Sequence, residues 1–136
     1  MAECVFCKIV AGEVPCEKVY EDDAVVAFLD IHPVNKGHVL VVPKEHTQNL
    51  FTASHPILEH LIGVAQKIAS ALSTYADGVN IGQNNNRAAG QVVEHLHFHV
   101  IPRFANDGLR HWPGKTYREG EAQNIARQIK KLLGIP

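Results

Sequence analysis

Over the first third of the chain, apolar residues come in short runs broken by charged or turn-forming residues, a pattern of strands rather than helices. Val19-Tyr20-Glu21 and Ala24 to Leu29 predict two strands around the tight acidic turn Asp22-Asp23. His38 to Pro43 holds the apolar run Val39-Leu40-Val41-Val42, stopped by proline, and predicts a buried strand. From Ser54 the period changes. Ser54 supplies an N-cap, and Pro56 falls in the first turn, where proline is tolerated. Ile57, Leu58, Leu61, Ile62, Ala65, Ile68, Ala69 and Leu72 then recur at helical spacing as one stripe, and Asp77-Gly78 is the expected stop. Val79 to Gly82 and Glu94 to Pro102 predict two further strands. A second helix is expected from about Glu121 to Leu133, with Ala122, Ile125, Ala126, Ile129 and Leu132 inward and Gly134 as its end. Between these, Phe104 to Gly120 shows no periodicity and is longer than most connections, which marks it as functional or mobile. Successive strands with one long intervening helix give an α+β fold, an antiparallel sheet of about five strands with a C-terminal helix.

With 136 residues, 46% hydrophobic and 20% charged, the chain reads as one globular domain, residues 1–136, and not as a disordered one. A net charge of -1 gives no global field of the kind that gathers nucleic acid or anionic lipid. Residues 1–86 hold five basic and ten acidic side chains and residues 87–136 hold eight and four, but no basic cluster stands out. No apolar run spans a bilayer, and Met1-Ala2-Glu3-Cys4 lacks the basic and apolar regions of a secretory signal. The cytoplasm is the expected compartment. There, the pair Cys4-x-x-Cys7 reads as metal binding or redox rather than as a disulfide framework, and Cys16 as a small apolar residue. What stands out is nine histidines.

Three of them sit in His95-Leu96-His97-Phe98-His99-Val100-Ile101. On a strand, side chains alternate between faces, so the three imidazoles share one face about 6.6 Å apart while Leu96, Phe98 and Val100 enter the core. Such a face is costly unless it is wet or each ring has a partner. Two chemistries suit it: metal ligation, or a nucleophilic imidazole flanked by rings that orient it and contact phosphate oxygens. The upstream stretch Asn84-Asn85-Asn86-Arg87-Ala88-Ala89-Gly90-Gln91, rich in amides and small residues, favours an anion and hence the second.

The pattern His-φ-His-φ-His-φ-φ, met in full at His95 to Ile101, resembles the signature of the histidine triad (HIT) superfamily. Phe6-Cys7-Lys8-Ile9, Phe28-Leu29-Asp30-Ile31, Gly37 to Lys44 and Gly90-Gln91 look like its other blocks in the same order, so the resemblance covers roughly residues 4–103. It is nearest to the HINT-like bacterial HIT proteins. That implies a homodimer joined through the long helix and a neighbouring strand, which binds a purine nucleotide such as AMP or GMP. The implied reaction is hydrolysis or transfer at the α-phosphate of nucleoside phosphoramidates or related conjugates.

Position by position, the resemblance implies that His97 is the nucleophile, that His99 contacts the phosphate, that Asn84 and Gly90 line it and that Gln91 is among the nucleotide-binding residues. His38 is implied as a supporting relay, although alone it reads as a strand-edge histidine. Asp30 matches the acceptor of ribose hydroxyls. Phe6, Val14, Phe28 and Ile31 match the slot for the base, where the residues alone suggest core packing. One position departs: Val92 stands where the family usually has Ser or Thr, and the lost hydrogen bond is worth roughly 1.5–3 kcal/mol. Relatives also imply a structural zinc on Cys4, Cys7, His46 and His95. Arg110-His111-Trp112-Pro113-Gly114 resembles a segment that approaches the partner's site, or is a local packing anchor. Three alternatives stay open: a dinucleoside polyphosphate hydrolase, a nucleotide-binding signalling or scaffold module, and a metallohydrolase with zinc on His95, His97 and His99.

Overall fold

The computed structural model describes residues 4–136, so the reading of Met1-Ala2-Glu3 lies outside the described residues. Five antiparallel strands form one sheet in the order β1-β2-β3-β5-β4. They are β1 (Lys18–Glu21), β2 (Val25–Leu29), β3 (Val39–Pro43), β4 (Gly78–Gly82) and β5 (Phe98–Arg103), with helices α1 (Val5–Val10), α2 (His55–Leu72) and α3 (Glu121–Leu133). The expected α+β class and five-strand sheet are those found. Asp22 makes the β1–β2 hairpin: its carboxylate accepts the Ala24 and Val25 N–H groups at 2.9 and 2.8 Å. Sheet order places β3 at the centre, which is why Val39 to Pro43 is buried throughout.

Alternation along β2 and β3 divides the core into two layers. Val25, Ala27, Val39 and Val41 face α2 with Leu61, Val64, Ala65, Leu96, Phe98 and Val100. Val26, Phe28, Leu40 and Val42 face the other way, against Phe6 and Ile9 of α1. Ser54 caps α2, its Oγ accepting the Ile57 N–H at 3.4 Å. The helix stops at Leu72, before the expected Asp77-Gly78. The Ser73 and Thr74 hydroxyls turn back onto the Ser70 and Ala71 carbonyls at 2.7 and 2.8 Å and compete with further helix.

Two expectations are corrected. The strand predicted from Glu94 begins only at Phe98, because Pro43 on β3 has no N–H to extend the ladder. The stripe Ala122, Ile125, Ala126, Ile129 and Leu132 does not point inward: Ile125 is half-buried and the others are exposed, Leu132 by 87%. Residues 110–117, exposed and irregular, lead to α3. Amphipathic spacing specifies a helix with one apolar face, not the surface that covers it. Helix α1 has no counterpart in the apolar pattern, since six residues are too few to show a period.

Candidate active site

Side chains from α1, β2, the β2–β3 turn, the loop after β4 and β5 converge on a cavity of about 410 Å³ on the α1 side of the sheet. Phe6, Val14, Phe28 and Ile31 form its apolar part, and Asp30, Gly90, Val92, His97 and His99 its polar end. Phe6 and Phe28 meet edge to face with ring centres 5.5 Å apart. His97 and His99 lie 4.9 Å apart, ring centre to ring centre, on the face that Leu40 and Phe28 share. Alternation therefore holds through the triplet even where the ladder does not.

The hydrogen bonds settle the tautomers. His97 Nδ1 lies 2.8 Å from the His95 carbonyl oxygen. A carbonyl only accepts, so Nδ1 carries the proton and Nε2 keeps its lone pair. His38 Nδ1 accepts the Val34 N–H at 3.0 Å, which puts the His38 proton on Nε2, 2.9 Å from His99 Nδ1. His99 is thus left with Nε2–H as a donor. Asp30 stands 3.7 Å behind His38 Nε2, while its other oxygen accepts the His32 N–H at 2.9 Å. One ring offers a lone pair and its neighbour offers a proton donor.

Burial pushes His97, His38 and His99 below the usual imidazole range, since each is removed from water and disfavours charge. For His99, burial and the nearby His97 and His38 together outweigh Asp30 and lower it to about 4. In the unfolded chain these rings titrate near 6.5. Between about 4 and 6.5 the unfolded state therefore binds more protons, and stability falls as pH falls through that window. Above it these rings contribute no slope. We expect Tm to drop between pH 6.5 and 5, more steeply than in His99→Asn; an equal slope in both would refute this assignment.

The loop Asn84 to Gln91 is braced from behind. Asn86 has φ 71° and ψ 159°, a conformation that costs of order 1–3 kcal/mol outside glycine. Gln91 holds it there: Oε1 accepts the Asn86 N–H at 2.8 Å, and Nε2 donates to the Gln48 carbonyl at 2.7 Å. Gln91, expected among the nucleotide-binding residues, is buried behind the loop and does not line the cavity. Asn84 lines a neighbouring cleft beside His38 and His99. Gly90 has φ 96°, which favours glycine, and it borders the cavity. Val92 is 89% exposed at the lip.

Cys4, Cys7, His46 and His95 form a second cluster, with one ligand atom from each within 4.8 Å of the others. His95 Nε2–H donates to the Pro43 carbonyl at 2.8 Å, which turns the Nδ1 lone pair toward Cys4 Sγ (3.2 Å), Cys7 Sγ (3.6 Å) and His46 Nδ1 (3.1 Å). Cys7 Sγ is 3.4 Å from His46 Nδ1. Tetrahedral zinc with Zn–N and Zn–S bonds of ordinary length needs ligand separations of about 3.3–3.8 Å. The donor set and the carbonyl that fixes the His95 tautomer fit that ion, with Cys7 to His46 and His95 inside that range and Cys4 and His46 to His95 0.1–0.2 Å short of it. With both of its nitrogens committed, His95 has none to offer His97. His95, His97 and His99 do not form a ligand set among the described residues.

The sequence pattern of the HIT domain matches residues 11–106. The chain belongs to the HIT family. A HIT-like protein of Borreliella burgdorferi is 50% identical over 139 residues, covering 99% of this chain and 96% of that one. The adenosine 5'-monophosphoramidase of Schizosaccharomyces pombe is 43% identical over 132 residues, covering 96% and 98%. Among solved structures, a zinc-bound histidine triad family protein from Mycobacterium smegmatis matches with a TM-score of 0.76 at 37% identity, over 98% of this chain and 97% of that one. The matched HIT domain thus spans the two histidines of the cavity, the loop behind them and His95 of the second cluster, while Cys4 and Cys7 precede it.

Proposed function

We propose that this HIT protein is a nucleotide hydrolase that binds a purine nucleoside monophosphate unit, AMP or GMP, and cleaves phosphoramidates at the α-phosphorus. The observation that carries the reading is the pair of tautomers: an Nε2 lone pair on His97 beside an Nε2–H donor on His99, at the polar end of an apolar slot. The 43% identity to a named adenosine 5'-monophosphoramidase supports it. His97 Nε2 attacks phosphorus, the P–N bond breaks and the amine leaves with a proton taken from solvent, which the attacking water gives back in the second step. Water then attacks the nucleotidyl-histidine, returning the electron pair to Nε2 and releasing the nucleoside monophosphate. His99 donates to a phosphate oxygen, with His38 holding its tautomer, and Gly90 and Asn84 flank the phosphate. Asp30 accepts ribose hydroxyls, and Phe6, Val14, Phe28 and Ile31 hold the base.

Zinc on Cys4, Cys7, His46 and His95 is structural in this reading, which the zinc-bound mycobacterial relative supports. It supplies bonds that hold the chain, and no reacting atom. The unit is a homodimer, for which the open β4 edge and the exposed Ile62 and Ile81 provide a surface. Residues 1–136 act as one domain in the cytoplasm, without nucleic acid or membrane as partner; no described helix is long and apolar enough to cross a membrane.

The test is release of AMP from adenosine 5'-phosphoramidate, run beside a diadenosine polyphosphate. Faster turnover of the phosphoramidate is expected. A preference for the polyphosphate selects the alternative hydrolase, and binding of AMP without turnover selects the signalling module. Because Val92 offers no donor, Val92→Thr is expected to raise turnover by roughly ten- to a hundredfold, the equivalent of one hydrogen bond to a charged group. Unchanged turnover would remove residue 92 from the phosphate environment.

A further inference from the structure

The metal cluster and the base slot share one element. Helix α1 carries Cys4 at its N-cap and Cys7 within it, and between and beyond them Phe6 and Ile9, which wall the cavity. Phe6 stands edge-on to His95 at 5.8 Å and to His97 at 5.1 Å, ring centre to ring centre. A six-residue helix has no stability of its own and takes its place from what it touches. Among the described residues, the two sulfurs make the only hydrogen bonds that tie α1 to the rest of the chain beyond its own connecting loop. What otherwise holds it is the burial of Phe6 and Ile9 against Val26, Phe28, Leu40 and Val42. The polar end of the cavity is anchored differently. His99 belongs to β5, His97 is bound to the backbone of residue 95, and Gly90 sits in the braced loop.

We infer that metal occupancy of the Cys4–Cys7–His46–His95 cluster assembles the base wall of the nucleotide cavity, so that metal and nucleobase bind cooperatively. The inference rests on the nucleotide reading above and adds a regulation to it. Joining two α1 side chains to His46 and His95 restricts the helix to the position that closes the slot over a base. Without that junction the helix samples positions in which Phe6 and Ile9 no longer wall the cavity, and the base loses its apolar partners. The phosphate end keeps its anchors: the Pro43 carbonyl still holds the His95 ring, the His95 carbonyl still holds His97, and Gln91 still braces the loop. Coupling of this kind is reciprocal: a base in the slot holds α1 down and tightens the metal by the same factor. A ligand that lacks the base does not report it.

The experiment is a closed cycle on the full chain. AMP and ribose 5-phosphate are titrated by calorimetry into zinc-loaded and chelator-stripped protein, and zinc affinity is measured by chelator competition with and without saturating AMP. The expected result is AMP affinity lower by roughly tenfold in the stripped protein, in the range typical of coupled sites. Zinc affinity rises by the same factor with AMP, and both effects stay within about twofold for ribose 5-phosphate. Hydrogen exchange separates a local from a global effect: stripping should deprotect residues 5–10 and leave the amides of β2, β3 and β5 protected. Equal AMP affinity with and without zinc overturns the coupling alone. Equal losses for AMP and ribose 5-phosphate, or deprotection of the whole sheet, overturn it too, since the metal would then hold the fold and not the slot. Failure of zinc-loaded protein to bind AMP overturns the nucleotide reading itself, and the coupling with it.

Discussion

Replacing His97 by asparagine is expected to lower AMP release from adenosine 5'-phosphoramidate by at least about a thousandfold, equivalent to about 4 kcal/mol of lost barrier reduction. The direction follows from the tautomer. Of the two triad rings at the polar end of the cavity, His97 is the one whose Nε2 has a free lone pair, and an amide nitrogen is no nucleophile at neutral pH. Asparagine is chosen because its NH₂ group retains a donor for the His95 carbonyl and it leaves a smaller void than alanine. AMP affinity should therefore stay within about threefold of the parent, since Phe6, Phe28, Asp30 and His99 are untouched. Mass spectrometry of the parent, quenched in alkaline denaturant during turnover to spare the acid-labile P–N bond, should show a nucleotide on the peptide containing His97, and the variant should lack it. Retention of more than a tenth of the activity by His97→Asn would sink the nucleophile assignment.

The second large effect concerns the cluster. In Cys4→Ser/Cys7→Ser, zinc content of the purified protein is expected to fall from about one equivalent per chain to nearly none, because hydroxyls do not replace thiolates as zinc ligands. Loss of a metal bound only by the folded state lowers stability by the free energy of its binding. A fall in Tm of more than about 5 °C is expected, in line with a loss of a few kcal/mol in a chain of this size. Burial and the neighbouring Cys4 push the Cys7 thiol upward, so without a metal it stays protonated at neutral pH and has no charge to offer. Equal zinc content in the variant and the parent would move the metal to other ligands.

Much of this site was legible beforehand because it is written in side-chain type and spacing. Alternation put His97 and His99 on one face, and the five short apolar runs became five strands. The resemblance named Phe6, Val14, Phe28, Asp30 and Ile31, and all five line the cavity. What escaped is mostly backbone. The His95 carbonyl, the Val34 N–H and the Pro43 carbonyl each fix the tautomer of a ring, and peptide groups leave no trace in residue identity. The bracing by Gln91 is hidden for a related reason: composition announces donors and acceptors but not that the fold uses them to hold a strained neighbour such as Asn86. Helix α3 shows the reverse case, since its period was read correctly while the surface facing it was not.

The carbonyl that orients His97 has a further consequence. Where a carboxylate side chain performs that task, one base change can remove it, and selection can tune it. The His95 carbonyl belongs to the main chain, so no substitution at position 95 deletes it; only a shift in the path of the chain can. The protonation pattern of His97 is therefore inherited with the fold, and divergence among such sequences is free to rewrite the pocket around a ring whose poise it cannot easily lose.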